Sequence, residues 1–205
     1  MKIKVCGLTE IENIIQVTDL EVDFVGFIFY NKSSRYVDFN PDLIKVIHGL
    51  TAKKVGVFVD EELNEVVRVK TLLSLDFIQL HGNESPEYCK DLQVFSKIIK
   101  VFKIDDHFDF SICKQFQFAD YFLFETKGKL HGGNGTKFNW DALCQYDLEV
   151  PFLLSGGIKL EDVADILKIG HPALVAVDIN SGFELKPGLK NIKLIKEFRD
   201  ELSNR

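Results

Sequence analysis

A chain of 205 residues that is 46% hydrophobic has material for one sizeable core and sits at the short end of the roughly 200 to 250 residues of a closed β/α barrel. A net charge of −6 and a pI near 5.4, with no lysine or arginine block, argue against a nucleic-acid backbone binder and leave room for a small anionic ligand. No stretch reaches the roughly 18 apolar residues of a membrane span, and Met1 to Leu8 lacks the roughly 7 to 15 of a signal peptide, so a soluble, cytoplasmic protein with no membrane partner is expected.

Short apolar runs without polar alternation recur along the chain, as in strands buried on both faces. The first, Lys2 to Val5, ends at Cys6 and Gly7 and leads into a helically spaced segment from Ile11 to Leu20. Phe24 to Phe29 precedes Pro41 to His48, Lys54 to Val59 precedes Glu61 to Leu73, and Phe77 to Leu80 precedes Pro86 to Leu92. These three helices carry start signals: Asn40 before Pro41, Asp60 before Glu61 and Glu62, and Ser85 before Pro86. The alternation continues with Ile98 to Phe102 and Phe108 to Phe116, Tyr121 to Phe124 and Trp140 to Tyr146, Phe152 to Leu154 and Leu160 to Ile169, then Leu174 to Val177 and Leu189 to Leu202. Roughly eight strands alternating with as many helices imply a parallel sheet closed into a (β/α) barrel, the TIM barrel, rather than an open doubly wound sheet. No linker interrupts the pattern, so residues 1–205 read as a single barrel domain.

In such a barrel the C-terminal strand ends converge on one face, which would gather Cys6, Arg35, His81, Glu125, Ser155 and Asp178. Taken singly each has an ordinary explanation: Cys6 as core filler, Glu125 as a cap or a partner of Lys127 or Lys129, Arg35 as a solvated loop charge, His81 as an orienting group. The glycine clusters are more specific. Ser155, Gly156, Gly157 and Asp178, Ile179, Asn180, Ser181, Gly182 follow the seventh and eighth strands, where barrels commonly bind phosphate through backbone N–H groups. Gly132, Gly133, Asn134, Gly135 could let a loop close over a ligand. The cysteines, Cys6, Cys89, Cys113 and Cys144, form no C-x-x-C pair and no zinc spacing with His81 or His131, so reduced thiols and no metal are expected.

These motifs, in this order, resemble the phosphoribosylanthranilate isomerases of tryptophan biosynthesis. The resemblance runs through Lys4 to Thr9, Val25 to Phe29, Ser34 to Val37, Val55 to Val59, Gln79 to Gly82, Gly132 to Gly135, Leu154 to Gly157, and Asp178 to Glu184 with Pro187 and Gly188. It implies a cofactor-free Amadori rearrangement of N-(5-phosphoribosyl)anthranilate to 1-(2-carboxyphenylamino)-1-deoxyribulose 5-phosphate. A general acid opens the ribose ring to an iminium, and a general base then removes the C2 proton. By position Cys6 matches the base, Glu125 the acid, and Arg35 the group that holds the anthranilate carboxylate. His81 and Asp178 lie beside the substrate, and Gly156, Gly157, Ser181 and Gly182 lie in the phosphate loops.

The family usually carries aspartate where this chain has Glu125, and again at Asn139 before Trp140. The extra methylene would displace the acid by about 1 Å, an error worth on the order of a hundredfold in rate. The chemistry further requires Cys6 to be partly thiolate near neutral pH and Glu125 to be raised by burial so that it stays protonated. Another phosphosugar isomerase or epimerase, or a barrel that binds without turnover, would share the phosphate loops; Cys6 and Arg35 speak against the other isomerases. No long apolar helix face is left over, which favours a monomer over a homodimer.

Overall fold

The computed structural model describes residues 1–126 and 139–203. Eight parallel strands close into a barrel in sequential order: β1 (Lys2–Cys6), β2 (Phe24–Ile28), β3 (Lys53–Phe58), β4 (Phe77–Leu80), β5 (Lys97–Ile104), β6 (Tyr121–Thr126), β7 (Phe152–Leu154) and β8 (Leu174–Ile179). The seam is closed by β8 on β1, with Lys4 in register opposite Asp178. Helices α1 (Ile11–Thr18), α2 (Pro41–Gly49), α3 (Leu63–Leu72), α4 (Pro86–Gln93), α5 (Val163–Lys168) and α6 (Ile192–Ser203) cover the outside. Their apolar stripes pack on the outward strand residues, as Ile14 and Val17 of α1 and Ile195 and Phe198 of α6 do, all fully buried.

The expected strands all form, but the connections differ in kind. Asn40 and Ser85 accept hydrogen bonds from the backbone N–H three residues on, Leu43 and Tyr88, and each opens a true α-helix. Asp109 and Asn139 accept from the N–H only two residues on, Ser111 and Asp141, and each opens a 3-10 helix, Phe110–Phe116 and Trp140–Gln145, where the sequence suggests α-helix. Asp60 does not cap α3: it sits at φ 48°, and its Oδ1 instead accepts from the Asn83 N–H at 2.6 Å. A short antiparallel hairpin, β9 (Glu184–Lys186) with β10 (Leu189–Lys190), precedes α6 where the sequence suggests the start of a helix.

Because side chains alternate across a strand, each strand sends every second residue into the barrel. At the N-terminal end these form an apolar cluster that includes Phe24, Val55, Phe77, Ile99, Leu123, Leu153 and Ala176. Phe24, Phe77 and Tyr121 meet there with ring centroids 5.7 to 6.3 Å apart. Two residues further along the same rows the interior becomes polar, with Lys4, Gln79 and Asp178 all buried.

Candidate active site

The polar end opens into a cavity of about 420 Å³ lined by every candidate the sequence singles out: Cys6, Arg35, His81, Glu125, Ser155, Gly156, Gly157, Asp178, Ser181 and Gly182. The glycine loop of residues 132–135 lies outside the described residues. Among the described residues no three His, Cys, Asp or Glu side chains stand together as metal ligands, and the cysteines are free thiols.

Cys6 closes the inward row of β1, and Gly26 on β2 makes room for it: a Cβ there would stand 2.8 Å from the Cys6 sulfur. Beneath it, Lys4 has no solvent exposure and donates to Asp178 Oδ1 at 2.9 Å. Burial opposes the Lys4 ammonium, but the charge and hydrogen bond of Asp178 outweigh it and its pKa rises. Burial pushes the Asp178 carboxyl up, with Lys4 offsetting only part of the effect. Burial also pushes the Cys6 thiol up, against the pull of Lys4 and Lys190. Burial thus works against the partly ionised cysteine that the chemistry calls for, and the two lysines work for it.

Glu125, at the end of the inward row of β6, places Oε2 2.9 Å from His81 Nε2. Burial raises its pKa, but the hydrogen bond and charge of His81, helped by Lys103 and Lys4, more than reverse this, so the net direction is downward. The direction is the opposite of that of a carboxyl raised by burial. Gln79, two residues before His81 on the same row, brings Nε2 within 3.3 Å of His81 Nδ1, while its buried Oε1 has no partner among the described residues. The turn after β4 that aims His81 is itself fixed: Lys100 donates to Gly82 O at 3.0 Å and to Glu84 Oε2 at 2.6 Å, and Glu84 Oε1 accepts from the N–H groups of Gly82 and Asp60.

Arg35 is carried by the turn after β2, where Tyr36 bridges to Ile28 and Ser33 Oγ accepts from the Arg35 N–H at 3.1 Å. Its Nε and Nη2 grip Glu184 at 2.9 and 2.6 Å. On the opposite wall Gly156 and Gly157 turn with φ of 95° and 68°, a conformation that disfavours any side chain, and a Cβ on Gly156 would strike the Thr126 backbone nitrogen at 2.5 Å. The loop after β8 adds Asn180, Ser181 and Gly182 to the same wall. Sequence reasoning thus locates the strand-end groups but gives no site role to Lys4, Gln79, Glu184 and Lys190. A lysine two residues before Cys6, between the apolar Ile3 and Val5, shares the cysteine's face by the period of two, which is the available signal for Lys4.

The family model for N-(5′-phosphoribosyl)anthranilate (PRA) isomerase matches residues 3–201. The chain belongs to this family. A curated relative named N-(5′-phosphoribosyl)anthranilate isomerase from Parabacteroides distasonis is 42% identical over 98% of this chain and 93% of its own length. The crystal structure of phosphoribosyl anthranilate isomerase from Thermotoga maritima superposes with a TM-score of 0.90 at 31% identity, covering both chains fully. A solved phosphoribosyl anthranilate isomerase in complex with reduced 1-(o-carboxyphenylamino)-1-deoxyribulose 5-phosphate is similar over the full length of both chains, at 29% identity and a TM-score of 0.86.

Proposed function

We propose that the chain catalyses the Amadori rearrangement of N-(5-phosphoribosyl)anthranilate to 1-(2-carboxyphenylamino)-1-deoxyribulose 5-phosphate in tryptophan biosynthesis. It does so as a cytoplasmic, cofactor-independent barrel domain that works as a monomer. The observation that carries this reading is the gathering in one cavity of an arginine suited to a carboxylate, two glycine loops suited to a phosphate, and two proton-transfer groups on β1 and β6. The compound held by the 29% identical neighbour carries the matching carboxylate and phosphate.

In this reading Glu125 is the acid, oriented by its 2.9 Å contact to His81. In its protonated form Glu125 delivers a proton to the ribose ring oxygen. The C1–O bond breaks with its electron pair on that oxygen, and the anthranilate nitrogen lone pair forms the iminium. That new positive charge, added to Lys4, favours the Cys6 thiolate, and Asp178 receives the thiol proton. The thiolate then takes the C2 proton; the C–H pair becomes the C1–C2 double bond, the iminium electrons return to nitrogen, and the enolamine becomes the ketone by losing its hydroxyl proton and gaining one at C1. Acid-then-base order follows from the charges, because the iminium adds to the pull that favours the Cys6 thiolate.

Purified protein should abolish the fluorescence of N-(5-phosphoribosyl)anthranilate, and its gene should restore growth to a tryptophan-requiring strain lacking this step. Binding of the compound without any loss of fluorescence would leave only a ligand-binding barrel.

A further inference from the structure

The proposed rearrangement uses Arg35 but leaves Glu184, in the stretch from Asp178 to Gly188, without a task. Glu184 opens the β9–β10 hairpin, and its side chain is 5% exposed. Oε1 accepts from Arg35 Nε at 2.9 Å, Lys190 Nζ at 2.7 Å and the Gly188 N–H at 3.0 Å, while Oε2 accepts from Arg35 Nη2 at 2.6 Å. Lys190 is fully buried and gives a second contact to Asn180 Oδ1 at 2.7 Å, on the cavity wall. Its backbone is fixed in both directions by Asn13, at 2.7 and 3.0 Å.

This arrangement bears on ligand choice in two ways. A guanidinium presents its donors in a rigid planar fork, and Glu184 occupies the edge formed by Nε and Nη2. The end formed by Nη1 and the second Nη2 proton remains for a ligand in the cavity that Arg35 lines. The charges agree with the geometry: Arg35 and Lys190 together face the single carboxylate of Glu184, leaving one positive charge uncancelled. A ligand carboxylate neutralises it, whereas a neutral group leaves Arg35 and Lys190 sharing one carboxylate.

We propose that Glu184 is a positioning residue: clamped by Lys190 and the hairpin turn, it holds one edge of Arg35 and turns the other into the cavity, so that the site selects a ligand bearing a planar carboxylate. This rests on the rearrangement reading of the cavity. Such an assignment makes Glu184 act through Arg35 and nowhere else.

The test measures binding of reduced 1-(o-carboxyphenylamino)-1-deoxyribulose 5-phosphate and of the same compound without its carboxylate, together with steady-state kinetics. Glu184→Gln should weaken the carboxylated compound by about tenfold or more and the decarboxylated one by less than about twofold, with KM rising more than kcat falls. In an Arg35→Ala background the same substitution should cost nothing further. Equal losses for both compounds, an unchanged preference, or a full additional loss without Arg35 would each overturn the proposal. Glu184→Asp, which keeps the charge, should retain part of the preference and supplies the same readouts should Glu184→Gln not fold. If the unsubstituted protein itself ignores the carboxylate, the reading of Arg35 falls and this inference with it; a discriminating parent whose Glu184 variants discriminate just as well removes Glu184 alone.

Discussion

The two ends of the barrel interior are made by the same strands and have opposite chemistry. On β4 the inward row runs Phe77, Gln79, His81; on β6 it runs Tyr121, Leu123, Glu125; on β7 and β8 it runs Leu153 to Ser155 and Ala176 to Asp178. The lower members pack as an apolar plug with edge-on aromatic contacts, each worth about 0.5–1.5 kcal/mol beyond area burial. The upper members bury charge, which stability alone would not select. Position along a strand, rather than choice of strand, therefore decides whether a residue supports the fold or the chemistry.

That division can be broken most sharply at the top. Cys6→Ala and Glu125→Gln should each lower turnover by at least about a hundredfold, the lower bound for a positioned acid or base, while the midpoint of urea unfolding stays near that of the parent. A near-parental turnover in either would remove the assignment. At the bottom, Phe77→Ala should cost about 3–5 kcal/mol of stability in denaturant unfolding and leave the turnover of the folded fraction within about twofold. A large loss of turnover there would show that the two ends are coupled.

A titration sharpens the comparison further. His81 is what holds the Glu125 carboxyl below its ordinary range against burial. A carboxyl whose pKa is depressed by folding stabilises the protein above the unfolded value of about 4.3, and the gain is lost as pH falls through the folded value. In His81→Asn burial takes over, and the Glu125 pKa should move above the ordinary range in a carbon-detected NMR titration. The same group should then disfavour folding as pH rises past about 4.3. An unmoved Glu125 would show that His81 is not the cause. The smallest effect expected is from Glu125→Asp, which keeps the carboxyl and should change kcat by less than Glu125→Gln does.

The strands are legible because burial on both faces leaves uninterrupted apolar runs, and the site face is legible because a barrel brings all its strand ends together. The pairings are not. His81 and Glu125 are 44 residues apart, Arg35 and Glu184 are 149 apart, and Lys4 and Asp178 are 174 apart, so no local pattern announces them. Protonation depends on burial as well as on those pairings: burial raises the Cys6 thiol and His81 lowers the Glu125 carboxyl, so both residues can be named from the sequence as cavity residues while the directions of their shifts cannot. The 3-10 helices escape the sequence for a local reason, since whether Asp109 or Asn139 reaches two residues ahead or three is decided by backbone geometry that composition does not encode.

The seam between β1 and β8 gives the molecule a form of timing. Synthesis runs from the N-terminus, so Lys4 and Cys6 emerge from the ribosome first and wait for nearly the whole chain before Asp178 can stand beside them. Until then one edge of β1 is unpaired, and the thiol has neither Asp178 nor the loops after β7 and β8 near it. The cavity is therefore complete only once the last strand is in place.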